Sequence, residues 1–222
     1  MSDNPNDDLA RLSPTLAATF LGCSASAAWS LEARRGLRRA PEPVDDPQIA
    51  LVVRKGHEHE AACLAGLKKL YGDSVEIPSG PLKVRFAATV GAMERGVPLI
   101  YQAALTAGSW LGYADFLVRV EDDCPRWTWS YEPWDAKLAR TARPEHVLQI
   151  ALYGDLLGTV QGRAAYQGSL MLGTGELGTV MNKFCQRPLR QMRSGRVSIS
   201  LVVRNSGSAQ TGYRAEYLEP VD

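Results

Sequence analysis

Two runs rich in aromatic and β-branched residues, Tyr113 to Val120 and Trp127 to Trp134, flank the polar, proline-bearing stretch Glu121-Asp122-Asp123-Cys124-Pro125-Arg126. Strand formers on both sides of a turn predict a β-hairpin. Upstream, Ser13-Pro14 supplies an N-cap and a proline at the first helical position for a short helix through Leu16, Phe20 and Leu21. Ala40 to Pro47 reads as a loop, and a short apolar run, Ile49 to Val53, precedes a helix from His57 to Tyr71. In that helix Ala61, Leu64, Ala65, Leu67 and Leu70 approximate one stripe, closed by Gly72-Asp73. Val75 to Ile77 suits a short strand, Leu82 to Glu94 a helix with Gly96 after it, and Val97 to Ala104 a strand near the hairpin. Pro144 opens a further helix to about Leu157. The order helix, strand, helix, strand, hairpin, helix predicts an α/β fold with a mixed sheet. Beyond Gly158 the pattern weakens: Gly168 to Gly173 suggests a strand, Val180 to Met192 a helix and Val197 to Val203 a strand. Ser206 to Gly212 is expected to be a loop or disordered, and residues 1–12 are expected to be disordered. No internal repeat is visible.

A length of 222 residues suits one large domain rather than two. A net charge of +1 supplies no global field for nucleic acid, so any such contact must be local. The one dense basic cluster, Arg34, Arg35, Arg38 and Arg39, could meet phosphates or simply solvate a helix end. No apolar run approaches the ~20 residues of a membrane span, and Met1 to Asp8 lacks the basic start of a signal peptide. A cytoplasmic protein without membrane contact is expected. Cys23, Cys63, Cys124 and Cys185 show no Cys-x-x-Cys spacing, which argues against a disulfide framework or a self-contained zinc site and leaves buried thiols as the plain reading.

The hairpin carries the chemistry. Asp115, in Gly112-Tyr113-Ala114-Asp115, and Asp135, in Trp134-Asp135-Ala136-Lys137, are equidistant from residue 125 in the turn. A symmetric hairpin sets them directly opposite, with Cβ atoms roughly 5 Å apart. Lys137 points to the same face as Asp135. Facing carboxylates repel, so a cation is expected to offset the cost; a divalent metal with a lysine beside it would do so. The alternative is an ordinary charged strand face in solvent. His57 and His59 lie about 200° apart around their helix, so only one can face a given site, and their spacing is not that of a His-Glu-x-x-His zinc motif. Gln149 and Tyr153, four apart on the helix after the hairpin, share one face beside Leu152 and Leu156 and could orient a phosphate or a base, or simply pack.

Taken in order, these pieces resemble a known family, the RecB-like branch of the PD-(D/E)XK nucleases, and most closely its RecB-type nucleases with a Gly-x-x-His-Glu start. The matching segments are Arg54-Lys55-Gly56-His57-Glu58-His59-Glu60, Gly112-Tyr113-Ala114-Asp115-Phe116-Leu117, Asp135-Ala136-Lys137-Leu138-Ala139-Arg140 and Gln149-Ile150-Ala151-Leu152-Tyr153, within residues 14–165. The resemblance implies a restriction-endonuclease-like core, with a nuclease-like domain over 13–165 and a diverged or truncated segment over 166–222. It implies that His59, Asp115, Asp135 and the backbone carbonyl of Ala136 bind Mg²⁺ or Mn²⁺, hard cations suited to carboxylate oxygen, the nitrogen favouring Mn²⁺ somewhat. Asp115, Asp135 and Lys137 would be catalytic, Lys137 stabilising developing charge or orienting water, and Gln149 and Tyr153 would contact the nucleic acid or brace the site. The implied activity is metal-dependent hydrolysis of DNA phosphodiesters, an exonuclease action on single strands or ends in DNA repair or processing, with a helicase as working partner.

The chain departs from that pattern in one respect. Relatives often carry a four-cysteine iron–sulfur staple; Cys23 in Phe20-Leu21-Gly22-Cys23 matches its first cysteine, and Leu218-Glu219-Pro220-Val221-Asp222 resembles the lead-in to the other three, which do not follow. A 4Fe-4S cluster is therefore expected only in a longer form of the chain. Two further readings stand beside the nuclease: a catalytically silent nuclease-like module that binds DNA or a helicase, and a hydrolase of small phosphate esters.

Overall fold

The computed structural model describes residues 11–42, 44–181, 197–205 and 211–217, with side chains for those up to 180. Six strands, β1 (Ser74–Glu76), β2 (Leu99–Ala107), β3 (Trp110–Val120), β4 (Ser130–Lys137), β5 (Gln167–Leu172) and β6 (Leu177–Met181), lie side by side in chain order in one mixed sheet. The backbones of β7 (Val197–Asn205) and β8 (Thr211–Tyr217) extend it. Two pairs are parallel, β1 with β2 and β4 with β5, and each has a crossover helix between its strands: α4 (Leu82–Glu94) and α5 (Pro144–Gln161). Antiparallel neighbours need only tight turns, whereas parallel ones need such a crossover. The chain is therefore α/β with a mixed sheet flanked by helices. The remaining helices are α1 (Pro14–Gly22), α2 (Ser24–Arg34) and α3 (Pro47–Tyr71).

The two sheet faces are covered by different helices. On one, Leu67 of α3 packs on Leu99, Phe116 and Val118, with Leu64, Trp134 and Ala136 at the margin. On the other, Met93 of α4 and Tyr153, Leu156 and Leu157 of α5 pack on Ile100, Leu105, Leu117 and Tyr131. Val147 and Ile150 of α5 continue that layer over Leu170, Leu172 and Val180. Because α1 packs across its outer side, α5 is buried almost all round, which is why its sequence is apolar on more than one face. Gly168 lets α5 approach the sheet closely: a Cβ there would lie 2.5 Å from Ile150 Cγ2 and 2.6 Å from the Pro133 carbonyl.

Several expectations need correction. The apolar run Ile49 to Val53 is the opening of α3, which begins at Pro47 with Asp46 accepting from the Gln48 N–H at 2.8 Å. Residues 11 and 12 are placed: Leu12 bonds to Ser109 O and receives the Leu111 N–H at 2.9 and 2.8 Å. Residues 1–10 lie outside the described residues. Val180 and Met181 belong to a strand, not to a helix, and the rest of that expected helix, 182–196, also lies outside them. Of the expected loop Ser206 to Gly212, residues 206–210 are not described and Thr211 begins β8. A boundary at 165 does not divide the sheet, since β5 pairs directly with β4.

Candidate functional site

The β3–β4 register runs from Val120↔Ser130 to Phe116↔Trp134, centred on residue 125. There the pairing stops. Beyond it β3 stays with β2 while Asp135, Ala136 and Lys137 pair with Leu170, Met171 and Leu172 of β5. The two strands thus fork, and Asp115 and Asp135 are the first residues past the fork. The Ala136 N–H, freed from the β3 ladder, donates to Asp115 Oδ2 at 3.0 Å. Asp135 is 1% exposed, and neither of its carboxylate oxygens receives a hydrogen bond among the described residues. Lys137 Nζ stands 2.5 Å from Asp135 Oδ2. Burial and then the charge of Asp135 hold the Asp115 carboxyl well above its usual range, against the pull of the Ala136 N–H and Lys137.

Opposite Asp115 on the other side, β2 changes phase. Core residues on one face of a strand recur every second position, yet Ile100 and Ala103, like Ala114 and Leu117, are three apart within one cluster. Gln102 lies between the first two with φ 57°, the left-handed region, and it and Asp115 are absent from the ladder at their register position. Its amide donates to Glu60 Oε1 at 2.7 Å, and Tyr101 Oη donates to the same oxygen at 2.9 Å. Burial, and then this bond, push the Tyr101 hydroxyl up to about 12. Asp115, at the phase change, therefore senses Glu60 beneath α3 as well as Asp135.

Of the two α3 histidines, His59 turns toward the sheet and His57 is exposed. His59 Nε2 donates to the Met171 carbonyl at 2.9 Å, with Cys63 Sγ 3.6 Å away. To bind a cation through that nitrogen, the imidazole would have to release Met171. Glu58 is turned outward, paired with Arg54 and Lys55.

From the α5 side, Gln149 and Tyr153 are both buried and bonded to each other at 3.3 Å. Tyr153 Oη donates to the Tyr113 carbonyl at 2.7 Å, so it braces β3 just before Asp115. Gly112 makes this possible, since a Cβ there would lie 2.7 Å from Tyr153 Cε1. Burial raises the Tyr153 hydroxyl, and the charges of Asp135 and Asp115 add to it. His146 is a neighbour that sequence reasoning missed. Burial first, then Lys137, lowers its affinity for a proton, and its Nδ1 is buried without a partner among the described residues. The signal was present: His146, Gln149 and Tyr153 fall at i, i+3 and i+7 on one helix face. Glu60 was legible only as the neighbour of His59, and Tyr101 and Gln102 carried no signal at all.

Among the described residues, no group of three His, Cys, Asp or Glu side chains is spaced to hold a metal ion as it stands. The donor chemistry nonetheless fits a hard cation at the fork: two neighbouring acids, one buried with only Lys137 as its ionic partner and the other held toward protonation. The cysteines do not contribute a cluster here. Cys23 is exposed between α1 and α2, contrary to the expectation of buried thiols; Cys63 and Cys124 are half-buried and free, and Cys185 lies outside the described residues. No helix among the described residues is long and apolar enough to cross a membrane. Compared with known protein families, curated proteins and solved structures, the chain matches none of them.

Proposed function

We propose that the chain is a metal-dependent nuclease that hydrolyses DNA phosphodiesters at the β3–β4 fork, as its resemblance to RecB-like nucleases implies. The observation that carries the reading is Asp135: a carboxylate 1% exposed, ion-paired to Lys137 and beside a second acid, Asp115. A carboxylate this deeply buried, with the Lys137 ammonium as its one ionic partner, carries a desolvation cost that the pair must offset, and such buried charges cluster at functional sites. Asp115, Asp135 and the Ala136 carbonyl would hold Mg²⁺ or Mn²⁺, with His59 joining once it leaves Met171. When bound, such a cation polarises the scissile phosphate and lowers the pKa of its water. Lys137 places a positive charge where the departing or attacking oxygen gathers negative charge. Tyr153 and Gln149 fix the height of β3, and Tyr101 and Gln102 fix Glu60, so the acids keep their spacing. A helicase partner and a role in DNA repair follow from the resemblance alone.

The test is cleavage of end-labelled single- and double-stranded DNA with Mg²⁺, Mn²⁺ or EDTA, beside Asp135→Ala. Metal-dependent cutting that disappears in the variant is the expected result, with product lengths separating exonuclease from endonuclease action. A folded wild-type protein that binds DNA but never cuts it would refute catalysis. That outcome would favour the second reading, a silent module that binds DNA or a helicase, for which the His59–Met171 bond speaks, because it occupies the nitrogen a metal would need.

A further inference from the structure

A cleft of about 330 Å³ opens between α1, the end of α2 and the start of β3. Its walls include Arg11, Thr15, Arg34, Tyr113 and Tyr153, and among the described residues none of those lining it is acidic. Tyr153 connects it to the fork, because the same ring lines the cleft and feels the charges of Asp135 and Asp115. Gly112 and Tyr113, on the cleft wall, precede Asp115 by three and two residues of β3, roughly 7–10 Å along the strand.

The basic cluster of the sequence divides here. Arg38 pairs with Glu32 at 2.9 Å and stacks on Trp29, and Arg39 pairs with Glu42. Arg34 alone of the four turns to the cleft, exposed and with no carboxylate partner among the described residues. Facing it, Arg11 is anchored by a bond from Nη1 to the Gly108 carbonyl at 2.6 Å, which fixes a second guanidinium. Arg85 is not part of the lining; it lies over the Tyr113 ring at 4.1 Å and donates from Nη2 to the Gln102 carbonyl at 3.1 Å. A cavity with two guanidinium groups, a threonine hydroxyl and, among the described residues, no carboxylate is complementary to an oxyanion with several acceptors. Its volume is at the small end for ligand sites, too small for a duplex and suited to one phosphate with its sugar.

We infer that this cleft receives a backbone phosphate of the strand cut at the fork, a few nucleotides from the scissile bond. The inference rests on the nuclease reading for its ligand. Arg11 and Arg34 hold the phosphate oxygens, and the strand then passes over Tyr113 to Asp115 and Asp135. The positive charge that the protein lacks globally is thus concentrated where a single strand enters.

The experiment is fluorescence anisotropy of a labelled single-stranded oligonucleotide in EDTA, where nothing is cut, across a range of salt. Wild type is compared with Arg34→Glu, Arg34→Gln and Lys69→Glu, the last a like charge change on the exposed end of α3, on the opposite sheet face; melting curves accompany each. Arg34→Glu is expected to weaken binding about tenfold at low salt and to reduce the salt slope by about one, with Arg34→Gln intermediate and Lys69→Glu unchanged. Equal binding by wild type and both Arg34 variants, or equal loss in Lys69→Glu, overturns the cleft while leaving the nuclease reading standing. Wild type that binds no DNA at all overturns that reading itself. Inorganic phosphate is run as competitor: if Arg34→Glu loses phosphate binding but keeps DNA binding, the cleft serves a free phosphate and the assignment to a strand falls.

Discussion

Replacing Asp115 with asparagine should stabilise the metal-free protein while abolishing activity. Asparagine Oδ1 can still accept the Ala136 N–H that Asp115 Oδ2 accepts at 3.0 Å, so the local geometry survives. What disappears is a charge facing Asp135. Neighbouring carboxylates roughly 5–8 Å apart at an effective dielectric of about 20 repel by about 2–3 kcal/mol, and Lys137, 2.5 Å from Asp135 Oδ2, offsets part of that. A net gain of about 1–2 kcal/mol is expected at pH 8. The sign with pH follows from the raised affinity of Asp115 for a proton. A carboxyl held above its unfolded value contributes stability at low pH and loses it as pH rises through the raised value. The advantage of Asp115→Asn should therefore vanish near pH 4 and grow as pH rises toward the raised value. For a chain of this length, each kcal/mol moves the melting temperature by about 2–4 °C. Melting in EDTA at pH 4 to 8, then with Mg²⁺, reads all of this: wild type gains with Mg²⁺ and the variant does not. If Asp115→Asn melts at or below wild type at pH 8 without metal, the acids do not repel in the folded state and the argument for a cation at the fork collapses.

Glu132, pushed up to about 7 by burial and held by Gln167 at 3.2 Å, gives a separate pH signature. Its protonation stabilises the fold at low pH and is lost through about 7, so Glu132→Gln should stabilise at pH 8 by about 1–2 kcal/mol, less than full linkage because solvent screens part of it, and leave pH 4 unchanged. Urea titrations at both pH values check it, and an equal effect at both would contradict the burial argument. At Gln102, with φ 57°, glycine and alanine both remove the amide bonded to Glu60, but only glycine relieves the left-handed backbone. Gln102→Gly should be more stable than Gln102→Ala by about 1 kcal/mol, and the reverse order would show that β2 does not hold that conformation.

The parts of this fold legible in the sequence were those where one residue type has one local meaning. Ser13-Pro14 caps α1, with Ser13 Oγ accepting the Leu16 N–H at 3.0 Å, and the proline-bearing turn centred the hairpin on residue 125; the ladder ends one pair short of the two acids, so they flank the fork rather than face each other in register. What escaped depended on distant contacts. In α2 only Ala27 is buried, so no apolar stripe announces it. Ile49, Leu51, Val52 and Val53 look like a buried run yet are exposed on α3, so their pattern misplaced its start. The left-handed Gln102 carries neither the glycine nor the asparagine that usually marks such a backbone. Its bond to Glu60 joins positions 42 residues apart in the chain.

The fork also determines which insertions and deletions the chain can accept. Side chains alternate along β4, so one residue added or removed between Ser130 and Trp134 would turn Asp135 and Lys137 together to the α3 face, while Asp115 stayed in place on β3. Two residues would restore the face but shift the pair by a full repeat, roughly 7 Å, past Asp115 and Met171. After Lys137 the chain leaves the sheet before α5, and a change of length there moves neither acid. Length variation that preserves the site should accordingly collect in the segments before β4 and after Lys137, with β4 itself constant in length.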